Sequence, residues 1–187
     1  VQRAIESNDK SSGITIMKMN EGLDEGPIIA SQEIAINSET NGQTLIDQIS
    51  HESCSLLYNN LEKYLKGLLF PVDQDHEKST YASKINKNES KLNWNSDANI
   101  LEQKIRAFYP NPATWFSHKG KRYKVLKAKV SSFEGESGKI LQSPLIVGCK
   151  KNSLEILEIQ AEGKKSQMIV QFLLGNNNFE INSLITN

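Results

Sequence analysis

The feature that most constrains this chain is a train of five short β-like runs between residues 113 and 160: ATWFSH, KRYKVLKAKVS, KILQ, PLIVGC and SLEILEIQ. Turn signals separate them at Lys119–Gly120, Gly135–Gly138 and Lys151–Asn152. Strands this short and this closely spaced predict a small OB-like β-barrel. A helix leads into it. Ser96 is a suitable cap, Asp97 places a negative charge in the positive first turn, and the apolar spacing continues to about Phe108. Pro110 and Pro112 then stop it. A last helix is expected over Ser166–Leu174, ending at Gly175. The unit defined in this way begins near Leu92 and covers residues 92–187.

Residues 1–71 have a different organisation. GITIMKM, 13–19, and PIIASQEIAI, 27–36, read as buried strands. Between them, NEGLDEG offers glycines able to take positive φ and bring backbone close to a ligand. A long helix follows over 42–66, with Asn41 or Thr40 as its cap and Gly67 just past its end. Leu45, Ile49, Leu56, Leu57, Leu61, Tyr64 and Leu65 recur near helical spacing, so the helix is expected to pack on the sheet of the two strands. VQRAIES reads as the tail of another helix. Two strands are too few for an independent sheet, so this part resembles the final third of an α/β domain. The sequence opens on Val1, and the expectation is a piece of a longer chain. Residues 72–91 are polar and weakly patterned, which predicts a linker with a short ordered patch at Tyr81–Ile85.

Composition narrows the function classes. The 187 residues carry 22 basic and 22 acidic side chains, but unevenly. Residues 1–91 hold 9 Lys and Arg against 14 Asp and Glu, and residues 92–187 hold 13 against 8. The basic half can favour a polyanion such as RNA, or it can simply be a solvated face. No window approaches the roughly 18 apolar residues of a membrane span. Cys54 and Cys149 stand far apart with no CxxC or His/Cys cluster, which predicts two buried free thiols, a reducing cytoplasmic setting and no metal site. His51, His76 and His118 fit no catalytic spacing. No phosphate-binding glycine loop or nucleophile elbow appears.

Two candidate sites remain. Asp24 is a carboxylate in a glycine turn at a strand end, placed to orient a base or a water. A turn aspartate that accepts backbone N–H bonds is the plainer reading of the same residue. The segment 119–130 carries Lys119, Lys121, Arg122, Lys124, Lys127 and Lys129, and Lys164 and Lys165 add two more charges. Side chains alternate along a strand, which places Lys127 and Lys129 on one side. Such a stripe suits phosphate contacts that position a nucleic acid. Trp115 and Phe116 could stack on bases, although core packing is expected of at least one.

GITIMKMNEGLDEGPI resembles the GxTxM-x-M-xx-GLD-x-G segment of the methionyl-tRNA formyltransferases. TYASKINKNESKLNWN is similar to that family's linker, and IRAFYPNPATWF to the opening of its C-terminal domain. AEGKKSQMIVQFLLGN looks like its final basic turn and helix. The resemblance implies the C-terminal part of a Rossmann-like formyltransferase domain over 1–71, a linker over 72–91 and an OB-like tRNA-binding domain over 92–187. It implies formyl transfer from 10-formyltetrahydrofolate to the amino group of methionyl-initiator tRNA, without a metal, in a monomer with no membrane partner. Of the family's Asn, His and Asp, the first two belong to an upstream segment and the third falls on Asp24. This stretch by itself is therefore expected to have little or no activity. Asn20, Glu21, Gly22 and Leu23 would form the folate loop. Arg106, Lys121, Arg122, Lys124, Lys127, Lys129, Lys164 and Lys165 would meet the tRNA. The rivals are a folate-dependent formyltransferase acting on a sugar amine and a non-catalytic RNA-binding module.

Overall fold

The computed structural model describes residues 1–185. Strands β1 (Ser11–Met17) and β2 (Ile28–Ala35) form a two-stranded antiparallel hairpin, paired from Ser11 opposite Ala35 to Met17 opposite Ile28 with a register shift between Ile16 and Met17. Helix α1 (Gln2–Glu6) precedes it, and helix α2 (Gly42–Leu65) follows. The start of α2 is fixed locally. The Asn41 side chain accepts from the backbone N–H groups of Gln43 and Thr44, and the Thr44 hydroxyl accepts from the Asn41 N–H. This reciprocal pairing satisfies donors that a helix start otherwise leaves open. Gly67, at φ +68°, turns the chain away at the other end.

Two strands cannot cover a helix of 24 residues. Leu45 and Leu56 are buried, but Leu57, Leu61 and Leu65 of the expected apolar face are exposed. The small core of Ile5, Ile14, Ile34, Leu45 and Leu56 is completed from elsewhere. Ala107 and Phe108 of helix α3 (Ala98–Phe108) belong to it, and Ile85 packs against it. The approach is close: a Cβ on Gly42 would come within 2.7 Å of the Ala107 and Tyr109 carbonyl oxygens. The 72–91 segment has no ordered patch of regular structure at Tyr81–Ile85. Its short helical turns lie on either side, at His76–Lys78 and Lys87–Ser90. Its 83–89 part is held by Arg3, which donates to the Ser83 and Lys84 carbonyls and pairs with Glu89 at 2.8 Å. That contact holds the Glu89 carboxyl below its usual range.

Asp97, rather than Ser96, caps α3 by accepting from the Asn99 N–H. Six antiparallel strands follow. These are β3 (Thr114–His118), β4 (Lys121–Ser131), β5 (Ile140–Gln142), β6 (Ile146–Gly148), β7 (Ser153–Ala161) and β8 (Gln167–Met168). The hydrogen-bonded order is β3-β4-β7-β6-β5, with β8 beside β7. The last helix, α4, is shorter than expected and spans Ile169–Leu174. A closed OB-like barrel does not form among the described residues, and the reason is visible at both edges. The outer edge of β3 pairs with the Lys91–Leu92 segment, and that of β5 pairs with residues 182–184. Each edge is therefore covered by chain, and the two are not joined.

This second core is large. Leu92, Trp94, Leu101, Ile105, Phe116, Tyr123, Val125, Leu154, Ile156, Ile159 and Phe172 are all buried. Phe116 stacks on Tyr123 at 5.6 Å, and Phe179 meets both edge-on. Burial also raises the Tyr123 phenol pKa. Of the two cysteines expected to be buried, one is. Cys149 is buried, and burial pushes its thiol up to about 12, but Cys54 is exposed on α2.

Candidate functional site

The acidic loop spans the open end of the β1–β2 hairpin. Lys18 N–H donates to the Pro27 carbonyl at 2.9 Å and closes it. The left-handed position is Asp24 itself, at φ 57°, whereas neither Gly22 nor Gly26 has positive φ. Asp and Asn tolerate this conformation better than other residues with a side chain. Gly26 serves a different need: a Cβ there would collide with the Lys18 carbonyl oxygen. Gln74, far along the chain, donates to the Asp24 carbonyl at 2.9 Å and to the Gly26 carbonyl at 2.7 Å. No local signal marks Gln74, and sequence reasoning missed it. Asn20, Glu21, Leu23 and Asp24 are exposed, with Leu23 at 89 %, and Gly22 is half-buried. None of the five lines any of the five cavities described for residues 1–185. The loop is thus braced through its backbone, and its side chains face outward.

The basic candidates lie mostly on one surface. Tyr123 and Val125 of β4 point into the core, so Arg122 and Lys124 point out. A β-bulge between Val125 and Ala128 then shifts the alternation by one residue. Ala128 takes the inward place, and Lys127 and Lys129 face outward as expected. The Gly163 turn between β7 and β8 brings Lys164 and Lys165 alongside. A cavity of about 570 Å³ is lined by Lys121, Arg122, Lys164 and Lys165 together. Among the described residues, no ion pair involves Lys121, Lys124, Lys127, Lys164 or Lys165, whereas Lys129 pairs with Glu155 at 3.1 Å.

Arg106 is placed differently. Its guanidinium bonds Glu102 at 2.7 Å and the Thr40 carbonyl at 2.7 Å, which ties α3 to the entry of α2. Burial raises the Glu102 carboxyl pKa even with that partner beside it. Phe116 is a core residue, and Trp115 is half-buried under the Arg122 guanidinium, 4.0 Å from the ring centroid. Among the described residues, no group of three or more His, Cys, Asp or Glu could hold a metal ion. No helix there is long and apolar enough to cross a membrane.

A hairpin followed by a long helix, and then a basic antiparallel sheet, matches known proteins in both parts. A family model described as "Formyl transferase" matches residues 1–61, and one described as "Formyl transferase, C-terminal domain" matches residues 84–177. The chain belongs to the formyl transferase family. A similar curated protein is the methionyl-tRNA formyltransferase of Pelagibacter ubique, 37% identical over 177 residues, which are 94% of this chain and 57% of that protein. The chain spans a little over half the length of the curated relatives it matches. Two solved structures share the fold. HypX from Aquifex aeolicus in complex with tetrahydrofolic acid aligns with TM-score 0.70 and 16% identity over 92% of this chain and 31% of that one. The N-formyltransferase from Helicobacter canadensis, in complex with folinic acid and dTDP-3-aminofucose, aligns with TM-score 0.63 and 19% identity over 84% and 58%.

Proposed function

We propose that this chain is part of an enzyme that moves a formyl group from 10-formyltetrahydrofolate to the amino group of methionyl-initiator tRNA in translation initiation. The carrying observation is that the 37% identity to a methionyl-tRNA formyltransferase extends over 94% of the chain, including the unit with the basic strand face. In this reading residues 1–71 are the end of a Rossmann-like catalytic domain, 72–91 the linker, and 92–187 a tRNA-binding domain built on the six-stranded antiparallel sheet. The protein acts as a cytoplasmic monomer without a metal.

The amine nitrogen bonds to the formyl carbon, the carbon's bond to N10 breaks, and a proton leaves the amine as one reaches N10. Asp24 orients the base or water that carries this proton, and Asn20, Glu21, Gly22 and Leu23 offer the loop to the folate ring. Donors aimed at the tetrahedral oxyanion supply of order 100–1,000-fold each. Lys121, Arg122, Lys124, Lys127, Lys164 and Lys165 meet tRNA phosphates, with Lys129 beside them. Arg106 acts by holding α3 against α2.

Filter binding of initiator tRNA at rising salt tests the partner. Affinity is expected to fall steeply, with a slope near −0.9 per phosphate contacted. Salt-independent binding, or displacement by a dTDP-amino sugar, would move the reading to a sugar amine. Asp24→Asn tests the role of the carboxylate, because Asn keeps the left-handed backbone and removes only the charge. In a polypeptide of the relatives' full length, turnover should fall far more than substrate affinity. Unchanged turnover would leave Asp24 a turn residue.

A further inference from the structure

Between Val72 and Lys84 every residue is exposed except Gln74. Its partners are the Asp24 and Gly26 carbonyls, 50 and 48 residues back. An amide nitrogen carries two hydrogens, and here each has an acceptor, one on either side of Glu25. The backbone delivers Gln74 to this place. Val72 N–H donates to the Ile28 carbonyl at 2.9 Å, and Ile28 N–H donates to the Val72 carbonyl at 2.7 Å. The bridge is antiparallel, so the chain leaving Val72 runs back along the loop's exit and brings Gln74 level with Gly26.

What the amide holds is an uncommon backbone shape. Asp24 sits at φ 57°, a left-handed value that a residue with a side chain keeps only where its surroundings impose it. The base of the loop is closed by Lys18 and Pro27. Among the described residues, Gln74 is the only side chain from outside the loop that hydrogen-bonds its Asn20–Gly26 backbone. The donor is also neutral. A lysine could donate to the same carbonyls, but its charge would pair with Glu21, Asp24 or Glu25 of the same loop. An amide fixes the backbone and leaves those carboxylates unpaired.

We propose that Gln74 is a positioning residue, which holds the Asp24 loop in the conformation from which formyl transfer runs. Through it the first residues of the linker set where the Asp24 carboxylate stands, without touching a reacting atom. This assignment rests on the formyl-transfer reading given above.

Two variants separate holding the loop from filling space. In this chain, Gln74→Ala should shift the amide NMR resonances of Asp24, Glu25 and Gly26 and speed their hydrogen exchange, while the β4 and β7 amides and the denaturant midpoint stay in place. In a polypeptide of the relatives' full length, it should lower kcat about tenfold and leave KM for the amine substrate unchanged, because the lost contacts shape the reacting geometry. Gln74→Glu keeps the size but turns a carboxylate toward two carbonyls. At neutral pH its kcat should fall below that of the alanine variant. The gap should narrow as pH drops and the introduced carboxyl gains a proton to donate. A role in packing alone would make glutamate the milder change at every pH. If the loop amides of Gln74→Ala stay in place, or if its kcat equals that of the parent, the proposal is overturned. If the parent formylates a dTDP-amino sugar and not methionyl-tRNA, the substrate reading fails, and the same kcat comparison made on the sugar decides the role of Gln74.

Discussion

The Asn20–Gly26 loop and the outward face of β4 present their candidate side chains by opposite means. The loop stands at the end of a two-stranded hairpin whose core borrows Phe108 and Ala107 from α3, and its shape is set by Gln74 and by a left-handed Asp24. The β4 face lies on a six-stranded sheet with its own aromatic core, where the side chains inherit their direction from the pleat. The first arrangement depends on distant backbone contacts, and the second on burial directly beneath it. Perturbations should therefore spread differently from the two regions.

The largest effect is expected beneath the basic face. Phe116→Ala removes a fully buried ring from the centre of the aromatic cluster and should cost about 4 kcal/mol. Denaturant unfolding measures it, and a loss below 1 kcal/mol would mean that the sheet does not depend on this core. Phe108→Ala comes next, at about 3 kcal/mol, and sharpens the contrast. Hydrogen exchange of the Ile14–Ile16 amides should accelerate while the β4 and β7 amides remain protected. Equal acceleration in both sheets would show that the cores are not separable.

Arg106→Ala strips Glu102 and the Thr40 carbonyl of their partner at the junction, with a cost of about 2 kcal/mol. If the residue served only as a phosphate contact, thermal stability would stay level and tRNA affinity alone would drop. The smallest effect concerns the α3 cap. Asp97→Ala should cost about 1 kcal/mol at neutral pH. The Asn99 backbone N–H, and then its side chain, hold the Asp97 carboxyl below the ordinary 3.8. A depressed folded value means that this stabilisation is present above 3.8 and is lost as pH falls through the folded value. The gap between variant and parent should close in acid, and a pH-independent gap would refute the charged cap.

What the sequence disclosed follows the same division. The α2 cap at Asn41, the Gly67 exit and strand β4 are written in neighbouring residues and could be read directly. The exposure of Leu61 and Leu65 could not, because periodicity tells which residues share a face and not whether anything covers that face. Arg106 looked like a free cation although Glu102 stands one helical turn before it, and its carbonyl acceptors, Thr40 and Asn37, lie more than sixty residues away. The burial of Cys54 was misjudged for a similar reason: a free thiol in a chain says nothing about its position on a helix. The OB-like barrel was inferred from strand count and spacing, neither of which reveals that Lys91–Leu92 and residues 182–184 occupy the two edges. At the acidic loop the residue types were legible, and the Gln74 brace was not.

The irregularity between Val125 and Ala128 acts as a frameshift within one strand. Upstream of it the odd-numbered positions are the inner ones, and downstream the even-numbered ones. Removing the extra residue, Leu126, would restore strict alternation and leave Lys127 and Lys129 outward and Ala128 inward. Removing Ala128 instead would drive Lys129 toward the interior and Val130 toward solvent. Deletions in β4 should therefore be tolerated at the bulge and poorly tolerated on either side of it.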